Sequence, residues 1–260
     1  MPVPLFDHLD EIAGMVQSSP HLLLGLDFDG TLARIVPRGE DAQMLPDARA
    51  AIEALKSCAG VTIAAVSGRA IADLAARVPI RLILAGNHGL EIRGDNFDFV
   101  HPRAAASQEA LHRISEAIRS RVSVIPGTVA EDKRLTATVH FRRSPRDCIK
   151  EIARIVKSTV EPESSQFVLR EGRKTFEIRP RVDWNKGSAI LWLRDKIEPS
   201  GKSLICYIGD DATDEDVFQS AEGIMIHVGS LPTAARFNVK DPDEVARFLQ
   251  WLKGTLSRVP

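Results

Sequence analysis

The chain has 260 residues, of which 44% are hydrophobic and 27% are charged, and its formal net charge is −1 at pH 7. This composition is typical of a globular protein of one or two domains and excludes a fibrous or disordered chain. A nearly neutral chain offers no general attraction to nucleic acid. No apolar run approaches the roughly eighteen residues that a membrane-spanning helix needs. We therefore expect neither a nucleic-acid partner nor a membrane partner.

The amino terminus and the cysteines bear on where the protein works. The first twenty residues carry three acidic side chains and lack the basic start and apolar core of a secretory signal. The cysteines lie far apart, without the spacing of a metal or redox motif, and we expect buried thiols in a reducing compartment: Cys58, Cys148 and Cys206. We therefore expect a cytoplasmic protein. We also expect a monomer, although these features do not bear on oligomeric state.

An apolar stretch of strand length, residues 22–26, ends at two carboxylates, Asp27 and Asp29. Such a run is typical of a buried strand in a parallel sheet, which is covered on both faces. In extended backbone, residues two apart point to the same side, so the two carboxylates should repel each other unless a cation, a shared proton or solvent intervenes. Gly30 permits a tight turn and Thr31 adds a hydroxyl that is a candidate substrate contact, although an ordinary turn uses the same residue types.

The stretch 27–32, Asp-Phe-Asp-Gly-Thr-Leu, resembles the first signature of the haloacid dehalogenase superfamily of phosphohydrolases. The resemblance implies a Rossmann-like parallel-sheet core of α/β class. It also implies that Asp27 is the nucleophile that forms an aspartyl-phosphate, and that Asp29 protonates the leaving oxygen and then activates water. A carboxylate is a chemically reasonable nucleophile for this step.

A second predicted strand, 61–66, ends at Ser67-Gly68-Arg69 and precedes a predicted helix over 70–77. In open α/β sheets ligands collect outside the carboxyl ends of the strands, where helix N-termini can hold an anion. Ser67 either caps this helix or holds a phosphate oxygen. Its place after the first motif resembles the second superfamily signature and favours the phosphate. Arg69 either holds substrate or lies on a solvated helix surface.

A third predicted strand, 80–85, leads into Gly86-Asn87-His88-Gly89-Leu90-Glu91. This pattern is similar to one in trehalose-6-phosphate phosphatases, where it lies between the core and the cap. The resemblance makes Asn87 and His88 candidate substrate contacts.

The pattern changes after residue 101, and we predict an α+β cap domain over 102–180, inserted into a core formed by 1–101 and 181–260. The segment 135–141 alternates apolar and polar residues, which indicates a sheet with one exposed face. The elements predicted for the insert are helices over 104–121 and 145–160, and strands over 122–125, 135–141, 167–170 and 175–178.

Four residues of this insert resemble the sugar-binding cap residues of trehalose-6-phosphate phosphatases: Glu131, Lys133, Arg142 and Glu177. A carboxylate can accept hydrogen bonds from two adjacent sugar hydroxyls, and a buried polar contact that a wrong ligand leaves unpaired discriminates strongly. The simpler interpretation of the basic residues is an exposed, solvated surface.

Lys186 lies just before a helix predicted over 189–196, where its charge opposes the partial positive charge of the helix N-terminus. A nearby anion would relieve this repulsion. The position resembles the third superfamily signature, which implies that Lys186 pairs with the phosphate and the nucleophile. A lysine taken by itself is more simply solvated.

The last core strand ends in an acidic cluster of five carboxylates within seven residues. Crowding raises carboxylate pKa values unless a cation is present, and Mg²⁺ is a hard ion that prefers oxygen ligands. The cluster resembles the fourth superfamily signature. We expect Mg²⁺ to be held by Asp27, the backbone carbonyl of Asp29 and Asp210, with Asp214 binding directly or through water. Asp211 is left without a role.

The resemblance extends over essentially the whole chain. It implies a Mg²⁺-dependent phosphatase that hydrolyses trehalose 6-phosphate, a small phosphorylated disaccharide, to trehalose and phosphate. One alternative is a phosphatase for another sugar phosphate, such as sucrose phosphate or mannosyl-phosphoglycerate, since such enzymes share the core and differ in the cap. Another is a non-catalytic sugar-phosphate sensor.

Overall fold

A computed structural model describes residues 2–172, 174–198 and 200–257. The chain forms two compact units, which we call the core unit, Met1–Asp98 with Trp184–Pro260, and the inserted unit, Phe99–Asp183. The boundaries expected from the sequence lie a few residues inside the inserted unit.

The helices are α1 Leu9–Ser18, α2 Pro46–Lys56, α3 Ile71–Arg77, α4 Pro102–Ala106, α5 Gln108–Val122, α6 Ile149–Val160, α7 Lys186–Ile197, α8 Glu215–Ser220 and α9 Pro242–Leu256. The strands are β1 Val3–Pro4, β2 His21–Leu26, β3 Val61–Val66, β4 Ile83–Gly86, β5 Glu91–Arg93, β6 Asp98–Val100, β7 Val129–Asp132, β8 Ala137–His140, β9 Phe167–Gly172, β10 Thr175–Pro180, β11 Ser203–Gly209, β12 Gly223–Val228 and β13 Phe237–Val239.

Within the described residues, nine strands form one sheet in the order β1-β13-β12-β11-β2-β3-β4-β5-β6. Every pairing from β1 to β4 is parallel, and β5 runs antiparallel to β4. The chain continues from β2 to β3 on one side, while β11 lies on the other side of β2. This reversal of strand order opens a crevice at the carboxyl end of β2. The predicted α/β class with a parallel sheet is confirmed.

The central strands are apolar because helices cover both of their faces. Leu24 and Leu26 belong to one apolar core together with Ile52 of α2 and Leu249 of α9. On the other face, Gly25 pairs with Tyr207 of β11, and a Cβ at Gly25 would lie 2.6 Å from the Tyr207 ring. The glycine inside the apolar run therefore makes room for a large ring on the next strand.

Two of the three cysteines differ from the expectation of buried thiols. Cys206 of β11 is buried, whereas Cys58 and Cys148 are partly exposed, and all three are free. Among the helices of the described ranges, none is both long and apolar enough to span a membrane.

The inserted unit contains an antiparallel sheet in the order β7-β8-β10-β9. One face of this sheet packs on α5 and α6 through an apolar cluster that includes Val139 and Ile178. The predicted strand over 122–125 is wrong: α5 continues through Val122, and a turn follows. Val122 and Ile125 are apolar because they pack in this core from the helix end and the turn.

Candidate active site

The centre of the candidate site is a buried lysine between two buried carboxylates. Asp27 follows β2, and Lys186 is the first residue of α7, whose start is capped by the side chain of Asn185. The Lys186 Nζ donates to Asp27 Oδ1 at 2.6 Å and to Asp214 Oδ1 at 2.7 Å. Burial alone lowers the pKa of Lys186, but Asp214 and Asp27 hold it above its ordinary value, so the lysine stays charged.

Asp214 is fully buried, and neighbouring donors fix both of its oxygens. Oδ1 accepts from the Tyr207 hydroxyl at 2.7 Å as well as from Lys186, and Oδ2 accepts from the backbone N–H of Asp211 at 3.0 Å. The Asp211 side chain is exposed and accepts from the N–H of Ala212. Asp214, and not Asp211, therefore completes the buried cluster.

Asp210 lies against the turn that follows the first motif. Gly30 has φ +90°, and a Cβ there would lie 2.1 Å from Asp210 Oδ2, so only glycine leaves space for this carboxylate. The Oδ1 atom of Asp210 is buried and has no hydrogen-bond partner among the described residues. Burial and the neighbouring charge of Asp214 raise the pKa of Asp210 to about 7.

This arrangement fits a divalent cation. Asp27, Asp210 and Asp214 each offer an oxygen, and the three oxygens lie within 4.8 Å of one another. Burial, and then the charges of Asp214 and Asp210, raise the pKa of Asp27 against the attraction of Lys186. One ammonium cannot balance three carboxylates, and no residue that the structure describes donates to Asp210 Oδ1. A hard cation such as Mg²⁺ would meet both deficits.

The second aspartate of the motif has a different partner. The strand ends at Leu26, so the period-two rule does not extend to Asp29, and its carboxylate pairs with Arg69. Arg69 donates to both Asp29 oxygens at 2.6 Å and also pairs with Asp73. Arg69 thus supplies a cation that relieves the repulsion expected between Asp27 and Asp29. A carboxylate held in this way accepts hydrogen bonds, and it can donate a proton only after the ion pair with Arg69 opens.

Ser67 and Thr31 are both buried at the same sheet edge. Ser67 directly follows β3, the neighbour of β2, and its hydroxyl accepts from the N–H of Arg69 at 3.2 Å. The Thr31 hydroxyl is buried and has no hydrogen-bond partner among the described residues. Their expected roles toward a phosphate stay predictions.

The stretch from Asn87 to Glu91 connects the site loops. Asn87 is fully buried and donates its amide to Glu91 Oε1 at 2.7 Å, and the same oxygen accepts from the N–H of Ile71 at the start of α3. Asn87 therefore helps to hold the start of α3, and its expected role as a substrate contact stays a prediction. The His88 ring lies on Gly68, where a Cβ would be 2.5 Å away, and so supports the loop that carries Ser67.

In the inserted unit, the sheet register brings two expected sugar contacts to one level. Glu131 and Glu177 both pair with Thr138, one from each side. Lys133 lies in the turn after β7, and Arg142 is exposed beyond the end of β8. Thr138 is only 2% exposed, so the sheet face that carries these glutamates is closed at this position, whereas the alternation predicts an exposed residue. Threonine is short, and longer side chains of β7 and β10 flank it.

The model of the trehalose-phosphatase family matches residues 25–243 of the chain. The chain belongs to the trehalose-phosphatase family. The matched range includes every residue discussed for the site, and the resemblance stated from the motifs is confirmed.

Curated relatives of this family member are trehalose-phosphate phosphatases. That of Mycobacterium bovis (strain BCG / Pasteur 1173P2) is 35% identical over 258 residues, which cover 95% of this chain and 64% of the relative. That of Mycobacterium marinum (strain ATCC BAA-535 / M) is 34% identical over 249 residues, covering 92% of this chain and 63% of the relative. The chain thus spans less than two thirds of the length of these relatives.

Solved structures agree on the fold of the trehalose-phosphatase family member. A trehalose-6-phosphate phosphatase related protein superposes with a TM-score of 0.79 at 25% identity, covering 89% of this chain and 97% of that one. The C-terminal domain of the C. albicans trehalose-6-phosphate phosphatase also gives a TM-score of 0.79, at 22% identity, with 98% and 99% covered.

Sequence reasoning missed two supporting residues of this family member, Tyr207 and Glu91. Tyr207 reaches Asp214, and a signal for it exists in hindsight, because Gly25 interrupts the apolar run directly opposite its ring. The motif that contains Glu91 assigns this residue no role. In the structure its carboxylate accepts from the N–H of Ile71 at the start of α3.

Replacing Tyr207 by Phe tests whether its hydroxyl supports the lysine. The substitution removes one hydrogen bond to a buried carboxylate, which is worth about 1.5–3 kcal/mol. We expect kcat to fall about tenfold, equally for a sugar phosphate and for p-nitrophenyl phosphate, because Lys186 would serve both. Steady-state kinetics would measure this, with circular dichroism as the folding control. An unchanged kcat would separate Tyr207 from the site.

Replacing Asp210 by Asn tests the electrostatic strain of the acid cluster. With its pKa raised to about 7, Asp210 destabilises the metal-free fold increasingly between pH 4 and 7, because the folded protein holds a proton that the unfolded chain releases. We expect Asp210→Asn to stabilise the chelator-treated protein at pH 8 by on the order of 2 kcal/mol, and by little at pH 4. Thermal denaturation at both pH values measures the difference. A less stable variant at pH 8 would contradict the strain.

Proposed function

We propose that the protein is a phosphatase that releases phosphate from trehalose 6-phosphate. The observation that supports this most strongly is the buried Asp27–Lys186–Asp214 arrangement at the carboxyl end of the central strand, in a chain of the trehalose-phosphatase family. The curated relatives carry the same activity in their names, over a region that this chain matches almost from end to end.

In this proposal an oxygen of Asp27 attacks the phosphorus, and the bond between phosphorus and the sugar oxygen breaks. Asp29, once released from Arg69, takes up a proton from solvent and gives that proton to the sugar oxygen. Asp29 then removes a proton from water, which attacks the aspartyl-phosphate and frees phosphate and Asp27. Lys186 offsets the phosphoryl charge throughout, and Ser67 donates its hydroxyl to a phosphate oxygen. These are the parts that phosphoryl transfer needs, namely positioning and charge stabilisation.

Magnesium fits the acid cluster, and we propose that Asp27, Asp210 and the carbonyl of Asp29 would hold it. Asp214 would bind the ion directly or through water, while Lys186, Tyr207 and the Asp211 N–H keep its carboxylate in place. When bound, the cation neutralises charge on the transferring phosphoryl group.

We propose that the inserted unit acts as the cap that recognises the sugar. Its candidate contacts are Glu131, Glu177, Lys133 and Arg142, as the family resemblance implies. The shared level of Glu131 and Glu177 on one sheet face supports this role for the two carboxylates. The three free cysteines are in keeping with a cytoplasmic setting, and the monomeric state stays a prediction.

The test is phosphate release from trehalose 6-phosphate by purified protein, with Mg²⁺ and with a chelator. We expect turnover only with Mg²⁺, and none after Asp27→Asn, which removes the nucleophile and keeps the shape of the side chain. A panel with sucrose 6-phosphate and mannosyl-3-phosphoglycerate gives the comparison. Faster turnover of either would make it the substrate. No turnover of any member by folded, Mg²⁺-loaded protein would favour a non-catalytic sensor.

A further inference from the structure

The antiparallel sheet of the inserted unit has one polar face, and the glutamates on it are held by neighbours on the same face. Residues two apart on a strand share a face, as do directly paired residues on adjacent strands. The opposite face carries the apolar residues that pack on α5 and α6. The polar face therefore includes Glu131, Thr138, His140, Glu177 and Arg179.

Glu177 is held tightly by Arg179. The Nε of Arg179 donates to Glu177 Oε2 at 2.9 Å, and Nη2 donates to the same oxygen. The Arg179 side chain is 13% exposed and that of Glu177 is 20% exposed. Water screens an ion pair as shielded as this one less than it screens an exposed pair. An exposed pair contributes little to stability. Since both donors bind Oε2, the direction of the Glu177 Oε1 atom is fixed as well.

Glu131 is held in a similar way but in a more open setting. His140 Nε2 lies 2.9 Å from Glu131 Oε2, and both side chains are 43% exposed. The carboxylate only accepts, so His140 is the donor. The two glutamates lie two strands apart, with their Cα atoms about 10 Å from each other. Two carboxylates at this spacing, each oriented by a neighbouring side chain, suit a ligand with hydroxyls at both ends.

We propose that Arg179 and His140 are positioning residues for sugar recognition, Arg179 through Glu177 and His140 through Glu131, with the larger effect at Arg179. This inference rests on the proposed function, because it assumes that the two glutamates accept hydrogen bonds from sugar hydroxyls. A carboxylate that must adopt one direction binds a hydroxyl pair at a lower entropic cost when a neighbour already holds it.

The test compares Arg179→Met with Arg170→Met. Arg170 pairs directly with Glu177 across the sheet and carries the same charge on the same face, but its side chain is exposed, whereas that of Arg179 is only 13% exposed. We expect Arg179→Met to lower kcat/KM for trehalose 6-phosphate about 10- to 100-fold through KM, the size expected for lost hydrogen bonds to a charged group. We expect Arg170→Met to change it less than twofold, and Arg179→Lys to recover part of the loss.

Turnover of p-nitrophenyl phosphate, which has no sugar, should stay within twofold of the unchanged protein for Arg179→Met. Equal losses on both phosphate esters, or equal effects of Arg179→Met and Arg170→Met, would overturn the proposal. The corresponding change at His140, His140→Ala, should follow the same pattern with a smaller loss, and a larger loss there than at Arg179 would also count against it.

A double-mutant cycle separates positioning from direct contact. If Arg179 acts through Glu177, then Glu177→Ala with Arg179→Met should lose no more than Glu177→Ala alone. Additive losses would mean that Arg179 contacts the sugar by itself, and would overturn the positioning role. Failure of the unchanged protein to act on trehalose 6-phosphate would overturn the proposed function itself. The variants test only the positioning role.

Discussion

The ammonium group of Lys186 lies between the carboxylates of Asp27 and Asp214, and all three side chains are almost completely removed from water. Burying one ion costs several kcal/mol, and the arrangement is tolerable only because each charge has an opposite partner and further hydrogen bonds. The Asn185 cap sets where α7 begins and so places Lys186, and the Tyr207 hydroxyl donates to the same Asp214 oxygen as the lysine. The position of Asp27, the proposed nucleophile, therefore depends on its contact with Lys186.

The same site carries more negative charge than its single lysine balances. Gly30 lets the Asp210 carboxylate approach so closely that no other residue type would fit, and one Asp210 oxygen finds no donor in the described part of the chain. A protein selected for stability alone would avoid such an arrangement. Proteins commonly give up folding stability where a functional site requires it, and the proposed cation and phosphoryl group would require it here.

The sequence was sufficient for the sheet edge and insufficient for the contacts within it. Asp27, Ser67 and Asp210 follow predicted strands, and the carboxyl ends of parallel strands meet at one edge, so their general placement could be predicted. The pairing of Asp29 with Arg69 could not, because the chain turns as soon as β2 ends. The prediction of a strand over 122–125 was wrong because apolar residues pack in a core equally well from a helix end or from a strand, so the apolar pattern does not separate the two.

Trapping of the phosphorylated residue tests the central arrangement most directly. Hydroxylamine added during turnover of trehalose 6-phosphate converts an aspartyl-phosphate into a hydroxamate, which peptide mass spectrometry locates. We expect the label on Asp27, and about a hundredfold less of it after Lys186→Met, because Asp27 and the phosphoryl group would lose the buried charge that holds them. A label on another residue, or undiminished labelling of Lys186→Met, would contradict the account.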